Sequence, residues 1–83
     1  MEKALDRIKG FFDSLHGIQS EWTYKNPGFF ATYGNVKYWI YMDSADESIT
    51  VESDVYYPDG EGNWCIDAGK AYCFDLNGNR ESD

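Results

Sequence analysis

ITVESDVYY, residues 49–57, decides the fold. Successive side chains of a strand point to opposite faces, so Ile49, Val51, Val55 and Tyr57 fall on one side and Thr50, Glu52, Asp54 and Tyr56 on the other. Such a segment needs a core on its first side and water on its second. Upstream, VKYWIYMD (36–43) sends Val36, Tyr38, Ile40 and Met42 toward the same core, while Lys37, Trp39, Tyr41 and Asp43 face away. EWTYK (21–25) stops at Asn26-Pro27-Gly28, and FFATY (29–33) stops at Gly34-Asn35, a two-residue hairpin signal. Downstream, PDGEGN (58–63) is a turn. WCID and KAYCFDL predict a last hairpin around Ala68-Gly69, and NGNRESD predicts a frayed tail over 77–83.

Before the strands, Leu5, Ile8, Phe12 and Leu15 recur at spacings of three and four, flanked by Ala4 and Phe11. That period predicts a helix over about 2–16 with one apolar stripe, closed by Gly17. Gly10 inside it costs roughly 0.5–1 kcal/mol against alanine, which a close approach to a sheet would explain. His16 falls in the last turn, where its positive form complements the helix dipole. The reading is an α+β fold: one N-terminal helix packed on an antiparallel meander of five or six strands over about 21–76, in a single domain of residues 1–83.

At this length folding buries only about 60 to 65% of the chain's surface, and the 18% of aromatic residues supplies the bulk that a small core needs. No apolar run approaches the ~20 residues that span a bilayer, and the N-terminus lacks the apolar stretch of a signal peptide. Cys65 and Cys73 are too few to staple a secreted scaffold, so reduced thiols in a cytoplasm are expected. A three-residue loop at 68–70 sets the two cysteines opposite each other; a two-residue Ala68-Gly69 loop pairs Cys65 with Tyr72 instead.

Catalytic chemistry finds no foothold. His16 is the sole histidine and lies near neither cysteine in sequence, and no nucleophile-elbow or zinc-protease motif occurs. No enzyme activity, cofactor or metal is expected. DGEGNW from Asp59 sets acidic and amide groups at calcium-loop positions but has Trp64 where glycine is required, and DLNGNR from Asp75 lacks that glycine too.

Charge is the informative feature. Of fifteen Asp and Glu, eight lie between Met42 and Asp67 (Asp43, Asp46, Glu47, Glu52, Asp54, Asp59, Glu61, Asp67), and no Lys or Arg occurs from Tyr38 to Gly69. The seven Lys and Arg balance the remaining seven acids, so the whole net charge of -8 sits mid-chain. Solubility and turn preferences account for acids in general, though not for their segregation, because like charges on neighbouring strands cost stability. At about 3.4 Å per phosphate, eight charges match ~27 Å of one nucleic-acid strand, and residues 49–57 as a strand span about 30 Å. Such a chain repels nucleic acid and anionic lipid alike and suits a basic protein. The candidate partner-binding residues are Asp43, Asp46, Glu47, Glu52, Asp54, Asp59 and Glu61, with Tyr41 and Tyr56 as the rings beside them. The partner expected is a basic nucleic-acid-binding protein or complex, and the chain itself a monomer or weak homodimer. An immunity protein for a nuclease toxin, or an adaptor that uses the aromatic face, fits the same residues.

In size, acidity, helix-plus-meander layout and absence of catalytic motifs, with Met42 to Asp67 as the distinctive segment, the chain resembles the small acidic phage inhibitors that mimic nucleic acid. These include anti-CRISPR and anti-restriction proteins. The resemblance implies occlusion of a basic DNA- or RNA-binding channel in a bacterial defence complex, inside the host cytoplasm; it assigns no role to any single residue.

Overall fold

The computed structural model describes residues 2–43 and 48–81. Helix α1 (Glu2–His16) is followed by β1 (Thr23–Lys25), β2 (Gly28–Tyr33), β3 (Val36–Asp43), β4 (Ser48–Pro58), β5 (Trp64–Ala68) and β6 (Tyr72–Asp75), the α+β meander that the sequence predicts. The strands form one antiparallel sheet in the order β1-β2-β3-β4-β5, with β6 also paired to β4. One sheet face carries the helix and the other is bare.

Ala4, Ile8 and Phe12 seal the helix against Tyr33, Tyr38, Ile40, Ile49, Val51 and Phe74, all nearly solvent-free. The buried row of α1 advances by four residues, a helix ridge inclined to the axis, so it ends at His16 rather than Leu15. Leu15, placed on the stripe by periodicity alone, is 54% exposed. His16 does more than complement the helix dipole: its Nε2 lies 2.6 Å from the Tyr38 hydroxyl and its ring packs 4.8 Å from that of Tyr33. Gly10 faces open space, so no close approach explains it. Gly10→Ala should therefore raise the unfolding free energy by about 0.5–1 kcal/mol, read from the urea midpoint.

A polar network closes the end of the core. The Tyr33 hydroxyl donates to Asp13 Oδ1 (2.6 Å), Trp22 Nε1 donates to Tyr33 (3.1 Å), and Lys9 pairs with the same carboxylate. Desolvation, the largest single influence on Asp13, raises its pKa, but the hydrogen bonds from Lys9, Tyr33 and the Ser20 amide together outweigh it and hold the carboxyl below 3.8. A carboxyl depressed on folding lends stability that is complete above the unfolded value and vanishes as pH falls through the folded one. Burial, with a lesser contribution from Tyr72, conversely pushes Tyr38 from 10.0 up to about 12, so stability drains as pH rises past 10. Urea midpoints of the wild type and Asp13→Asn should differ near neutrality and converge in acid below the folded Asp13 pKa; a constant gap would refute the assignment.

The expected last hairpin does not form. Ala68 pairs with Asp54 and Tyr72 with Val51, so Gly69, Lys70 and Ala71 lie against only Glu52 and Ser53. β5 and β6 are two halves of one strand along β4, separated by a bulge of one residue. The long β4 edge satisfies both halves, which a separate two-stranded ribbon would leave half unpaired. The Gly69 amide donates to Ser53 O (2.7 Å) and Ser53 Oγ to Lys70 O (2.7 Å), and a Cβ at Gly69 would meet Ser53 Oγ at 2.3 Å. Because the bulge reverses alternation, Cys65 and Asp67 share the helix-side face with Tyr57 and Val55, while Cys73 lies opposite Thr50 on the bare face.

Neither loop considered for 68–70 therefore applies, and both cysteines are free. Alkylation without reductant should label both thiols, the exposed Cys73 faster than Cys65; an unlabelled protein would mean that they are oxidised. The tail also departs from expectation. Asp75 Oδ1 accepts from the Asn77 and Asn79 amides, Arg80 bridges to Phe74, and the Glu81 amide donates to Cys73 O. Gly78, at φ +86, packs so closely on Ala4 that a Cβ would lie 2.6 Å from its carbonyl oxygen, and Arg7 donates to Asn79 (2.8 Å). Residues 77–81 are thus anchored to α1, and residues 82 and 83 lie outside the described residues.

Candidate functional site

The bare face is built by strand parity. Opposite pairs Phe30 with Trp39, Thr32 with Lys37, Trp39 with Glu52, Lys37 with Asp54 and Tyr56 with Ile66 all point away from the helix. Phe30 and Trp39 stack at 5.9 Å with an interplanar angle of 12°, and Tyr41 continues the row 6.1 Å from Trp39. These rings are fixed on strands, so presenting them to a partner costs little conformational entropy.

Glu52 and Asp54 stand beside this row, about 6.6 Å apart along one strand. Together with Lys37, Trp39, Tyr41, Ser53 and Tyr56 they line a shallow hollow of about 260 Å³. Lys37, directly across from Asp54, instead holds its ammonium 5.1 Å above the Phe30 ring. Among the described residues no Lys, Arg or His nitrogen lies within 4.0 Å of either carboxylate, the recorded ion pair being Lys9 with Asp13. Desolvation, then the charge of Glu52 and a hydrogen bond to it, and lastly the charge of Asp54, hold the Tyr41 hydroxyl above the usual phenol range. The hollow therefore holds two carboxylates and one ammonium, Lys37, whose charge is engaged over the Phe30 ring rather than in an ion pair with either acid.

A second, larger hollow of about 570 Å³ adjoins it, sharing Lys37 and Tyr56 and bounded by Thr32, Gly34, Asn35 and Trp64. Its lining is mainly apolar. Trp64 is 68% exposed, more than any other large apolar side chain among the described residues. Sequence reasoning missed Trp64 and Ile66 as members of this face. They join it only through the bulge, which composition does not reveal.

Of the nine candidate residues, the structure unites Tyr41, Glu52, Asp54 and Tyr56. Asp59 and Glu61 lie in the turn at the far end of β4, where the Glu61 amide foremost, with that of Asn63, holds the Asp59 carboxyl below the usual range. That carboxylate serves its own loop. The Asp43 side chain, Asp46 and Glu47 lie outside the described residues. Asp67, also in the acidic segment, is turned to the helix-side face, next to Tyr57. The described acids of the segment are thus divided between the bare face of β4, the turn after it and the helix-side face of β5 rather than gathered into one cluster.

Among the described residues no group of three or more His, Cys, Asp or Glu is placed to hold a metal ion, and no helix is long and apolar enough to cross a membrane. No protein-family model, curated protein or solved structure matches the chain.

Proposed function

We propose that this protein is an acidic, nucleic-acid-mimicking inhibitor that binds a basic nucleic-acid-binding surface of a bacterial defence complex through the bare face of β3 and β4. One observation carries the reading. Glu52 and Asp54 project side by side from a rigid strand, in no ion pair among the described residues, amid the Trp39, Tyr41 and Tyr56 rings. Nucleic acid offers a basic channel the same combination of spaced anions and flat π surfaces. β4, which carries both carboxylates, runs 11 residues and leads into the turn that holds Asp59 and Glu61. At about 3.3 Å per residue the strand is roughly 36 Å long, with Glu52 and Asp54 near its middle. Such a target would be met in a bacterial cytoplasm.

The test is competition. Immobilised protein should retain, from a bacterial lysate at about 0.05 M salt, a nucleic-acid-binding complex that about 0.5 M salt releases. The complex's own DNA or RNA should elute it equally well. Capture that resists salt and ignores competing nucleic acid would favour the adaptor reading, for which the apolar hollow beside the exposed Trp64 is the specific support.

A further inference from the structure

The last strand has two halves whose outer edges are treated differently. Along β6 the chain returns on itself, with Arg80 bridged to Phe74 and Glu81 hydrogen-bonded to Cys73, so that edge is covered. Along β5, which ends the strand order, no described residue pairs with the outer edge. The opposite margin of the sheet is β1, only 3 residues long against 5 in β5. Proteins normally blunt an open edge with lysine, proline, an internal bulge or a covering segment, because a row of unpaired amides and carbonyls recruits other strands. WCIDA has no lysine, proline or internal bulge, and its only charge is Asp67, on the helix-side face.

Its side chains sort cleanly by face. Trp64, Ile66 and Ala68 lie on the bare face, with Trp64 68% and Ile66 58% exposed; Cys65 and Asp67 lie on the other. The surrounding charge is negative: Asp54 across from Ala68, Asp59 and Glu61 in the turn that leads into β5, and Asp67 within it. Two cations lie nearby, each over a ring: Lys70 in the bulge, 5.2 Å above Tyr72, and Lys37 in the hollow that Trp64 bounds, 5.1 Å above Phe30. A second copy of this chain would set acid against acid across the junction, each copy carrying a net charge of -8. A basic strand would not.

We propose that the open edge of β5 accepts an extended segment of a basic partner protein as an added strand. That segment alternates apolar side chains, laid against Trp64 and Ile66, with Lys or Arg placed beside Asp67. Main-chain hydrogen bonds to the edge supply the affinity, and cross-strand neighbours supply the selection. The inference stands apart from the Glu52 and Asp54 hollow, which belongs to β3 and β4, and either can fail without the other.

The probe is a synthetic peptide of about nine residues, alternating valine and lysine, the length of an ordinary strand. Controls are the same peptide N-methylated at alternate amides and its valine–glutamate counterpart. On titration, amide resonances of residues 64–68 should shift and their hydrogen exchange should slow, while the N-methylated and glutamate peptides leave them unchanged. Asp67→Lys should weaken binding roughly fivefold or more, as one surface ion-pair attraction is lost and a repulsion takes its place. Equal binding of the N-methylated peptide, or shifts confined to β3 and β4, would overturn the proposal. So would protection of residues 64–68 in the free protein that grows with concentration, since the occupant of the edge would then be a second copy.

Discussion

Phe12→Ala should lower the unfolding free energy by about 3–5 kcal/mol, enough to leave a domain of this size barely folded at 25 °C. Phe12 has no exposure and is the ring around which the core is assembled, with centroids 4.2 Å from Tyr38, 5.0 Å from Phe11, 5.1 Å from Tyr72 and 5.7 Å from Trp22. Truncation forfeits its apolar transfer energy, and the neighbours are too firmly held on strands to collapse into the space. Urea unfolding followed by tryptophan fluorescence should report the loss, since Trp22 lies against the site. Phe12→Leu should recover more than half of it; a truncation that cost less than about 1 kcal/mol would show that the sheet closes over the gap.

Exchanging both carboxylates of the hollow, Glu52→Lys with Asp54→Lys, should weaken binding to the basic target about a hundredfold or more and flatten its dependence on salt. Each reversal removes an attraction and adds a repulsion in the same place, whereas Glu52→Gln with Asp54→Asn removes the attraction alone. The neutral pair should therefore fall between wild type and reversal, the ordering expected of an electrostatic contact. Both side chains are exposed, so the unfolding free energy should move by only about 0.5 kcal/mol. Retained affinity in the reversed protein would exclude this face as the contact for a basic channel.

The helix, the first four strands and their two faces were legible in the sequence because each depends on a period: near 3.6 in α1 and 2 in β3 and β4, with Gly34-Asn35 marking a turn. Glu52, Asp54, Tyr41 and Tyr56 follow from the same parity. What local patterning did not contain is anything set by pairing across the sheet. The bulge at Gly69 depends on the length of β4, the seating of His16 on the Tyr38 hydroxyl, and the anchoring of Gly78 on the Ala4 backbone, contacts distant in the chain. Asp13 is legible as a helix residue but not as the acceptor for Tyr33, because that requires the helix axis to cross the sheet at one angle.

The bulge also gives the outer strand a phase. Every side chain between Trp64 and Ala68 stands half a period out of step with those from Tyr72 onward, and a single surplus residue at 69–71 maintains that offset. If the surplus residue were absorbed into the ladder instead, with β6 kept in register, Ile66 would fall opposite Tyr57 and Asp67 opposite Tyr56, rolling Trp64 and Ile66 beneath the sheet and bringing Asp67 up onto the bare face. One slip of pairing would thus redraw both surfaces of the molecule without changing its sequence, whereas loss of one residue at 69–71 would straighten the strand and leave both faces as they are.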